Sequence, residues 1–309
     1  MNSILLDKYE GFIFDLDGTI YRGNELLPGA RKVIEQIKEA GNKKHVFLSN
    51  KPIARRENYA EKLTRLGIET SCEQVINSSY VTADYLQKNL PKSPVYVIGE
   101  LSLIEEIEEA GLEVVNKNRE EFARSVVQGS TTSIDYLNFQ QENYDYEDIN
   151  CLIISFDRTF HYGKLNDALQ IIHTQQDEIE IIATNPDTTC PIAGGEVPDA
   201  ASMIAAVEAA SEKKIDKIMG KPSEQMIRTA IEAMGFNYQL DDNKGEDPEA
   251  KKSANFLMIG DRLETDIKMG LKAGLDTAAV LSGVIDHSTI KASDLNPDYV
   301  LTSVRELMD

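Results

Sequence analysis

The chain has 309 residues, which is long for a single hydrophobic core and predicts two domains. A hydrophobic content of 41% with 27% charged residues is that of a globular protein in water. Against 32 Lys and Arg stand 52 Asp and Glu, a formal net charge of -20, so nucleic-acid backbones and anionic membrane surfaces are not expected as partners.

The first predicted strand is the apolar run Phe12-Ile13-Phe14, which ends abruptly in Asp15-Leu16-Asp17-Gly18-Thr19. Pro28 then opens a helix with Val33, Ile34 and Ile37 on one face and Gly41 as its stop. His45-Val46-Phe47-Leu48 reads as a second strand, running into Ser49-Asn50. Helices are predicted over 54–66 and 78–90, the first closed by Gly67 and the second leading to Pro91. This βαβ rhythm favours a parallel sheet with right-handed crossovers.

From Val95 the pattern restarts, with strands over 95–98, 113–115, 152–156 and 180–183 and helices over 101–110 and 165–174. The polar stretch Gln128–Asn150 carries little periodicity and reads as a long loop or a short helix. The break from Pro186 to Pro198, with Gly194-Gly195 inside it, reads as a hinge and return crossing. Helices over 200–210, 223–234 and 264–273 and a strand over 256–259 then resume the first rhythm. Asp241 to Glu249 reads as a polar surface loop. The expected layout is an α/β domain over 1–80 and 197–309, interrupted by an inserted α/β domain over 81–196.

Four apolar runs end in polar clusters: Asp15/Asp17, Ser49-Asn50, Gly220-Lys221-Pro222 after Lys217-Ile218-Met219, and Gly260-Asp261 after Phe256-Leu257-Met258-Ile259. In an open parallel sheet, ligands bind outside the carboxyl ends of the strands, so four such clusters imply one shared site for a divalent metal and a phosphate. Asp15 suits nucleophilic attack on phosphorus, and Asp17, returned over the site by the Gly18 turn, suits proton transfer. Mg²⁺ prefers oxygen donors and keeps several waters, so Asp15, Asp261 and one backbone carbonyl would suffice to hold it. Asp266 is placed to orient a metal-bound water or Lys221, and Lys221 with Ser49 to bind phosphoryl oxygens. Singly, each string has a bland reading as a turn or loop; the ordered set is what carries the inference.

Three cysteines (Cys72, Cys151, Cys190) without a C-x-x-C pair read as reduced thiols. The four histidines (His45, His161, His173, His287) lack zinc spacing. No apolar run reaches membrane-spanning length and the start lacks the pattern of a leader, so a cytoplasmic location is expected.

The strings Phe14-Asp15-Leu16-Asp17-Gly18-Thr19, Leu48-Ser49-Asn50, Gly220-Lys221-Pro222 and Gly260-Asp261-Arg262-Leu263-Glu264-Thr265-Asp266-Ile267 resemble the four ordered motifs of the haloacid dehalogenase-like superfamily, in its phosphatases. The strings from Ser155 to Leu165 and from Ala183 to Asp187 resemble the large cap of the subfamily IIA branch, that of NagD and the p-nitrophenyl phosphatases. Within that branch, Tyr21 to Leu26 and the Pro198-Asp199-Ala200 region resemble AraL-type sugar phosphatases. The chain departs from the branch at Lys51, where many members carry Asn, and at Asp199, where Gly is usual.

The resemblance implies a Rossmann-like parallel-sheet core with an inserted α/β cap of the C2 type. It makes Asp15 the nucleophile and Asp17 the acid/base, with Mg²⁺ on Asp15, Asp17 (through its carbonyl) and Asp261. Phosphate would then lie on Ser49, Asn50 and Lys221, with Asp266 supporting the metal. The implied activity is Mg²⁺-dependent hydrolysis of small phosphorylated metabolites, sugar phosphates foremost, through an aspartyl-phosphate, by a homodimer paired through the cap. The competing expectations are a phosphomutase of the same superfamily and a catalytically silent binding protein on the same fold.

Overall fold

The computed structural model describes residues 5–117, 146–192, 194–237 and 255–309. The 128–145 part of the polar stretch and the loop at 241–249 lie outside these residues. The chain divides into two compact units, one of Met1–Asn50, Ala54–Val81 and Gly220–Asp309, the other of Lys51–Ile53 and Thr82–Met219.

Five strands precede the second unit's sheet: β1 (Gly11–Asp15), the short hairpin β2 (Tyr21–Arg22) and β3 (Glu25–Leu26), β4 (Lys44–Ser49) and β5 (Val75–Asn77). The second unit holds β6 (Val95–Ile98), β7 (Cys151–Ile154), β8 (Glu180–Ala183), β9 (Thr189–Ile192), β10 (Gly195–Pro198) and β11 (Lys217–Ile218). The chain ends with β12 (Phe256–Gly260), β13 (Asp276–Val280) and β14 (Tyr299–Leu301) in the first unit.

The first unit is built on a six-stranded parallel sheet in the order β14-β13-β12-β1-β4-β5. β1 and β12 are buried along their whole length, as expected of central parallel strands covered on both faces, which is why they read as unbroken apolar runs. Phe12 stacks on Phe14 at 6.2 Å between ring centroids, and Phe14 meets Phe47 of β4 at 6.1 Å. Helix Ala30–Glu39 closes on this core with Val33, Ile34 and Ile37, while its outer face carries the Arg31–Glu35 pair. β1 lies between β4 and β12, so the strand order reverses there and leaves a crevice at its carboxyl end. Asp15, Ser49 and Gly260 each close one of these three strands.

The second unit is a four-stranded parallel sheet, β11-β8-β7-β6, with an antiparallel hairpin of β9 and β10. Helix Tyr162–Gln175 covers it and is capped by His161, whose Nδ1 accepts from the Gly163 amide at 3.0 Å. Inside, the hydroxyls of Tyr96 and Tyr146 donate to the two oxygens of Asp167, at 2.7 and 3.0 Å. The buried Lys164 ammonium pairs with Asp157 at 2.6 Å.

Three expectations are corrected here. The stretch Pro186 to Pro198 is not a return crossing but the β9–β10 hairpin, whose turn uses Gly194 at φ 88°. The second unit consequently runs on to Met219 instead of ending at 196: helix Ala200–Ser211 buries Ala200, Met203, Ile204 and Val207 in its core, and β11 pairs with Ile182 and Ala183. Asp199 caps that helix, its Oδ1 accepting from the Ala200 amide at 2.6 Å. Residues 113–115 make only a single bridge, Val114 to Val95, and not a strand. Among the described residues, no helix is long and apolar enough to cross a membrane.

Candidate active site

Asp15, Asp261 and Asp266 meet in the first unit, each offering a carboxylate oxygen within 4.8 Å of the others. Asp15 ends β1 and Asp261 follows β12, so two neighbouring parallel strands deliver them to one edge. Asp266 arrives differently. The segment Leu263–Ile267 winds as a wide π-type turn, with the amides of Asp266 and Ile267 both bonded to the Arg262 carbonyl, at 3.1 and 3.2 Å. Such turns are rare and often sit at functional sites. Here the turn replaces the start of the helix expected over 264–273, which begins only at Lys268.

The Lys221 ammonium lies between Asp15 Oδ1 and Asp266 Oδ1, the latter at 2.7 Å. Asp266 Oδ2 accepts from the Arg262 amide at 3.1 Å, so both its oxygens are engaged. Asp266 thus meets Lys221, one of the two partners expected of it, and its carboxylate also stands within the cluster that could hold a metal ion. Lys221 itself is not delivered by a strand of the catalytic sheet, as the apolar run before it suggested, because β11 belongs to the second unit's sheet. It reaches the site on the turn that precedes helix Glu224–Ala233, whose N-cap is Ser223.

Asn50 explains how that turn is held. Its Oδ1 accepts from the Lys221 amide at 2.6 Å, and its Nδ2 donates to the Lys221 carbonyl at 3.1 Å. The side chain expected to touch phosphate is thus engaged with the backbone of a second such residue. Ser49 ends β4 as a buried residue beside it. Asp17 follows β1 in the Gly18 turn, where φ is 89°, and is not one of the three clustered carboxylates.

Three carboxylates and one ammonium share a buried space, which leaves negative charge uncompensated. Burial pushes the Asp15 carboxyl well above the usual carboxylate range; Lys221 opposes this, while Asp266 and Asp261 add to it. Burial with the neighbouring Asp266 pushes Asp261 up to about 6. Burial works against the Lys221 charge, but Asp15 and Asp266 outweigh it and hold the ammonium protonated. Asp15 Oδ2 and Asp261 Oδ1 are buried and lack a hydrogen-bond partner. Two orphaned oxygens in an all-oxygen donor set fit a hard divalent cation such as Mg²⁺.

Two contributors were missed in the sequence. The Val284 amide donates to Asp261 Oδ2 at 2.8 Å, and the Ser78 hydroxyl donates to the Asn50 carbonyl at 2.7 Å. Ser78 stands two residues past the apolar pair Val75-Ile76, close to the signature that exposed the other clusters, whereas Val284 acts through its backbone amide and carries no such signature.

Residues 12–113 match the family model described as haloacid dehalogenase-like hydrolase, and residues 218–307 match a second, HAD-hydrolase-like model. The chain is 33% identical over 297 residues to the sugar-phosphatase AraL of Bacillus subtilis, spanning 96% of this chain and 91% of that protein. It is 30% identical over 322 residues to human glycerol-3-phosphate phosphatase, spanning 98% and 91%. Among solved structures, 4-nitrophenylphosphatase of Thermotoga maritima superposes with a TM-score of 0.76 at 28% identity, covering 98% of each chain. NagD of Escherichia coli K-12 gives 0.74 at 25% identity, over 97% of this chain and 98% of that one. The chain therefore belongs to the haloacid dehalogenase-like hydrolases, in the subfamily IIA branch of NagD and the p-nitrophenyl phosphatases, and is a phosphatase.

Proposed function

We propose that this protein is a Mg²⁺-dependent phosphomonoesterase for small phosphorylated metabolites, sugar phosphates foremost, working through an aspartyl-phosphate on Asp15. The observation that carries this reading is the pair of partnerless buried oxygens, Asp15 Oδ2 and Asp261 Oδ1, next to the Lys221 ammonium. The names of the relatives support the substrate class: sugar phosphate for AraL, glycerol 3-phosphate for the human protein.

An Asp15 oxygen forms the bond to phosphorus as the ester P–O bond breaks, and Asp17 gives its proton to the departing alkoxide. Asp17, now a carboxylate, takes a proton from water; the water oxygen bonds to phosphorus and the Asp15–phosphorus linkage breaks, releasing phosphate and restoring both side chains. Mg²⁺ held by Asp15, Asp261 and the Asp17 carbonyl would neutralise charge on the phosphoryl oxygens. Lys221 and the Ser49 hydroxyl bind the equatorial oxygens where charge accumulates, with Asn50 on the same side. Asp266 holds Lys221 from behind. Three cysteines outside any disulfide, Cys72, Cys151 and Cys190, fit a reducing cytoplasm, and a homodimer is the expected assembly, read by light scattering.

The test is inorganic phosphate release from sugar phosphates, glycerol 3-phosphate, phosphoglycolate, nucleotides and pyridoxal phosphate, with Mg²⁺ and with chelator. Metal-dependent release concentrated on a few of them is the expected result. Release that persists undiminished with chelator would overturn the metal dependence, and release from none of these compounds would overturn the proposed substrate class.

A further inference from the structure

Lys221 is the least supported member of the site by topology. Strands of the catalytic sheet hold Asp15 and lead directly into Asp261, whereas the strand before Lys221 belongs to another sheet. The turn at 220–223 therefore needs an anchor of its own. The structure supplies one in two steps, all within the first unit and all buried. Ser78 Oγ donates to the Asn50 carbonyl at 2.7 Å, which fixes the chain just past β4. The Asn50 carboxamide then takes both backbone groups of Lys221, its carbonyl oxygen receiving the amide at 2.6 Å and its NH₂ donating to the carbonyl at 3.1 Å.

A carboxamide bonded at both ends to one residue's backbone fixes that residue in position and in rotation, as a neighbouring strand would. We propose that Ser78 and Asn50 are positioning residues that set the Lys221 ammonium at the phosphate side of the site, Asn50 acting through Lys221 and not by its own contact with phosphate. This rests on the phosphatase reading above. With the backbone fixed, the Lys221 side chain reaches Asp266, whose second oxygen is tied to the Arg262 amide. The chain of contacts Ser78–Asn50–Lys221–Asp266 thus crosses from the end of β5 to the turn after β12. A lysine held from both ends is pre-organised, so little rotamer freedom is lost when phosphate binds.

The discriminating experiment is a double-mutant cycle read by titration calorimetry of the full chain saturated with Mg²⁺, using inorganic phosphate as the probe. Asn50→Ala should weaken phosphate binding by about tenfold, and Ser78→Ala by roughly threefold. In a Lys221→Met background, Asn50→Ala should cost nothing further, because the residue it acts through is gone. Mg²⁺ affinity, measured without phosphate, should be retained in Asn50→Ala, since Asp15 and Asp261 are untouched.

Equal losses from Asn50→Ala in both backgrounds would mean direct contact with phosphate and would overturn the inference while leaving the phosphatase reading intact. A joint loss of Mg²⁺ and phosphate affinity would mean general disorder at the site and would also overturn it. No phosphate binding by the unaltered protein would remove the phosphate site proposed on Ser49 and Lys221, and the inference with it. Should Lys221→Met not fold, Ser78→Ala decides: weakened phosphate binding at unchanged Mg²⁺ affinity supports the inference, and unchanged phosphate binding overturns it.

Discussion

The Val284 amide donates to Asp261 Oδ2 at 2.8 Å, and this bond ties a proposed metal ligand to the loop after β13. The same loop is held from the other side. Ser282 Oγ donates to the Gly18 carbonyl at 2.8 Å, and the Arg22 guanidinium donates to the carbonyls of Ser282 and Gly283, at 2.5 and 3.3 Å. One short loop therefore links Asp261 to the turn that carries Asp17 and to the β2–β3 hairpin.

Gly283 has no room for a side chain, because a Cβ there would collide with the Asp261 side chain. Gly283→Ala should push Asp261 aside and weaken Mg²⁺ binding by about tenfold or more, comparable to disturbing an outer-shell partner of a metal ligand. Calorimetric titration with MgCl₂ reads this directly. Unchanged affinity would show that the loop gives way at no cost.

Asp15→Asn keeps size and shape but removes the nucleophile. Turnover should fall by at least about a thousandfold, with the melting temperature little changed or raised, since a buried carboxyl forced well above its usual range is neutralised. Phosphatase assays with thermal denaturation check both halves. Retained turnover would sink the covalent mechanism.

Mg²⁺ should stabilise the folded chain, by about 2.7 kcal/mol at a hundred times its dissociation constant. The shift should vanish in Asp261→Asn, which withdraws one orphaned oxygen from the site. Thermal melts with MgCl₂ and with EDTA measure it. An equal shift in the variant would place the ion elsewhere.

Lys221→Met leaves Asp15 and Asp266 buried without their ammonium, at a cost of about 3 kcal/mol in the metal-free protein. Adding Asp266→Asn should recover part of that loss, because one uncompensated charge disappears. Urea denaturation of the two single variants and the double variant supplies the comparison. Strict additivity would contradict the coupling.

His45 is buried edge-on against Phe47, with its Nε2 3.0 Å from Gln74 Nε2. Burial, with the charge of Lys38 added, lowers its pKa from 6.5 to about 4. Between those values the unfolded chain takes up a proton that the folded one refuses, so stability falls as pH drops from 6.5 toward 4. The loss amounts to about 3 kcal/mol, and it is absent above that window. His45→Gln should flatten the decline in urea midpoint between pH 6.5 and 4.5. An unchanged slope would assign the decline to other groups.

The sequence by itself determined what the strands of the catalytic sheet deliver. Asp15, Ser49 and Asp261 were legible because a parallel strand buried on both faces must be apolar throughout, and the first polar residue past it marks the sheet edge. Lys221 was legible as a residue but not in its placement, since a two-residue strand pairs as readily with one sheet as with another, and only the register of β11 on β8 decides. The end of the second unit at Met219 followed from the same pairing and from the buried face of helix Ala200–Ser211. Asn50 on the Lys221 backbone, Ser78 on Asn50 and Val284 on Asp261 join residues 171, 28 and 23 positions apart. Local propensity and periodicity act over a few residues and cannot register such contacts. They form when the folded sheet brings three separate turns to one edge, where each buried polar group must find a partner.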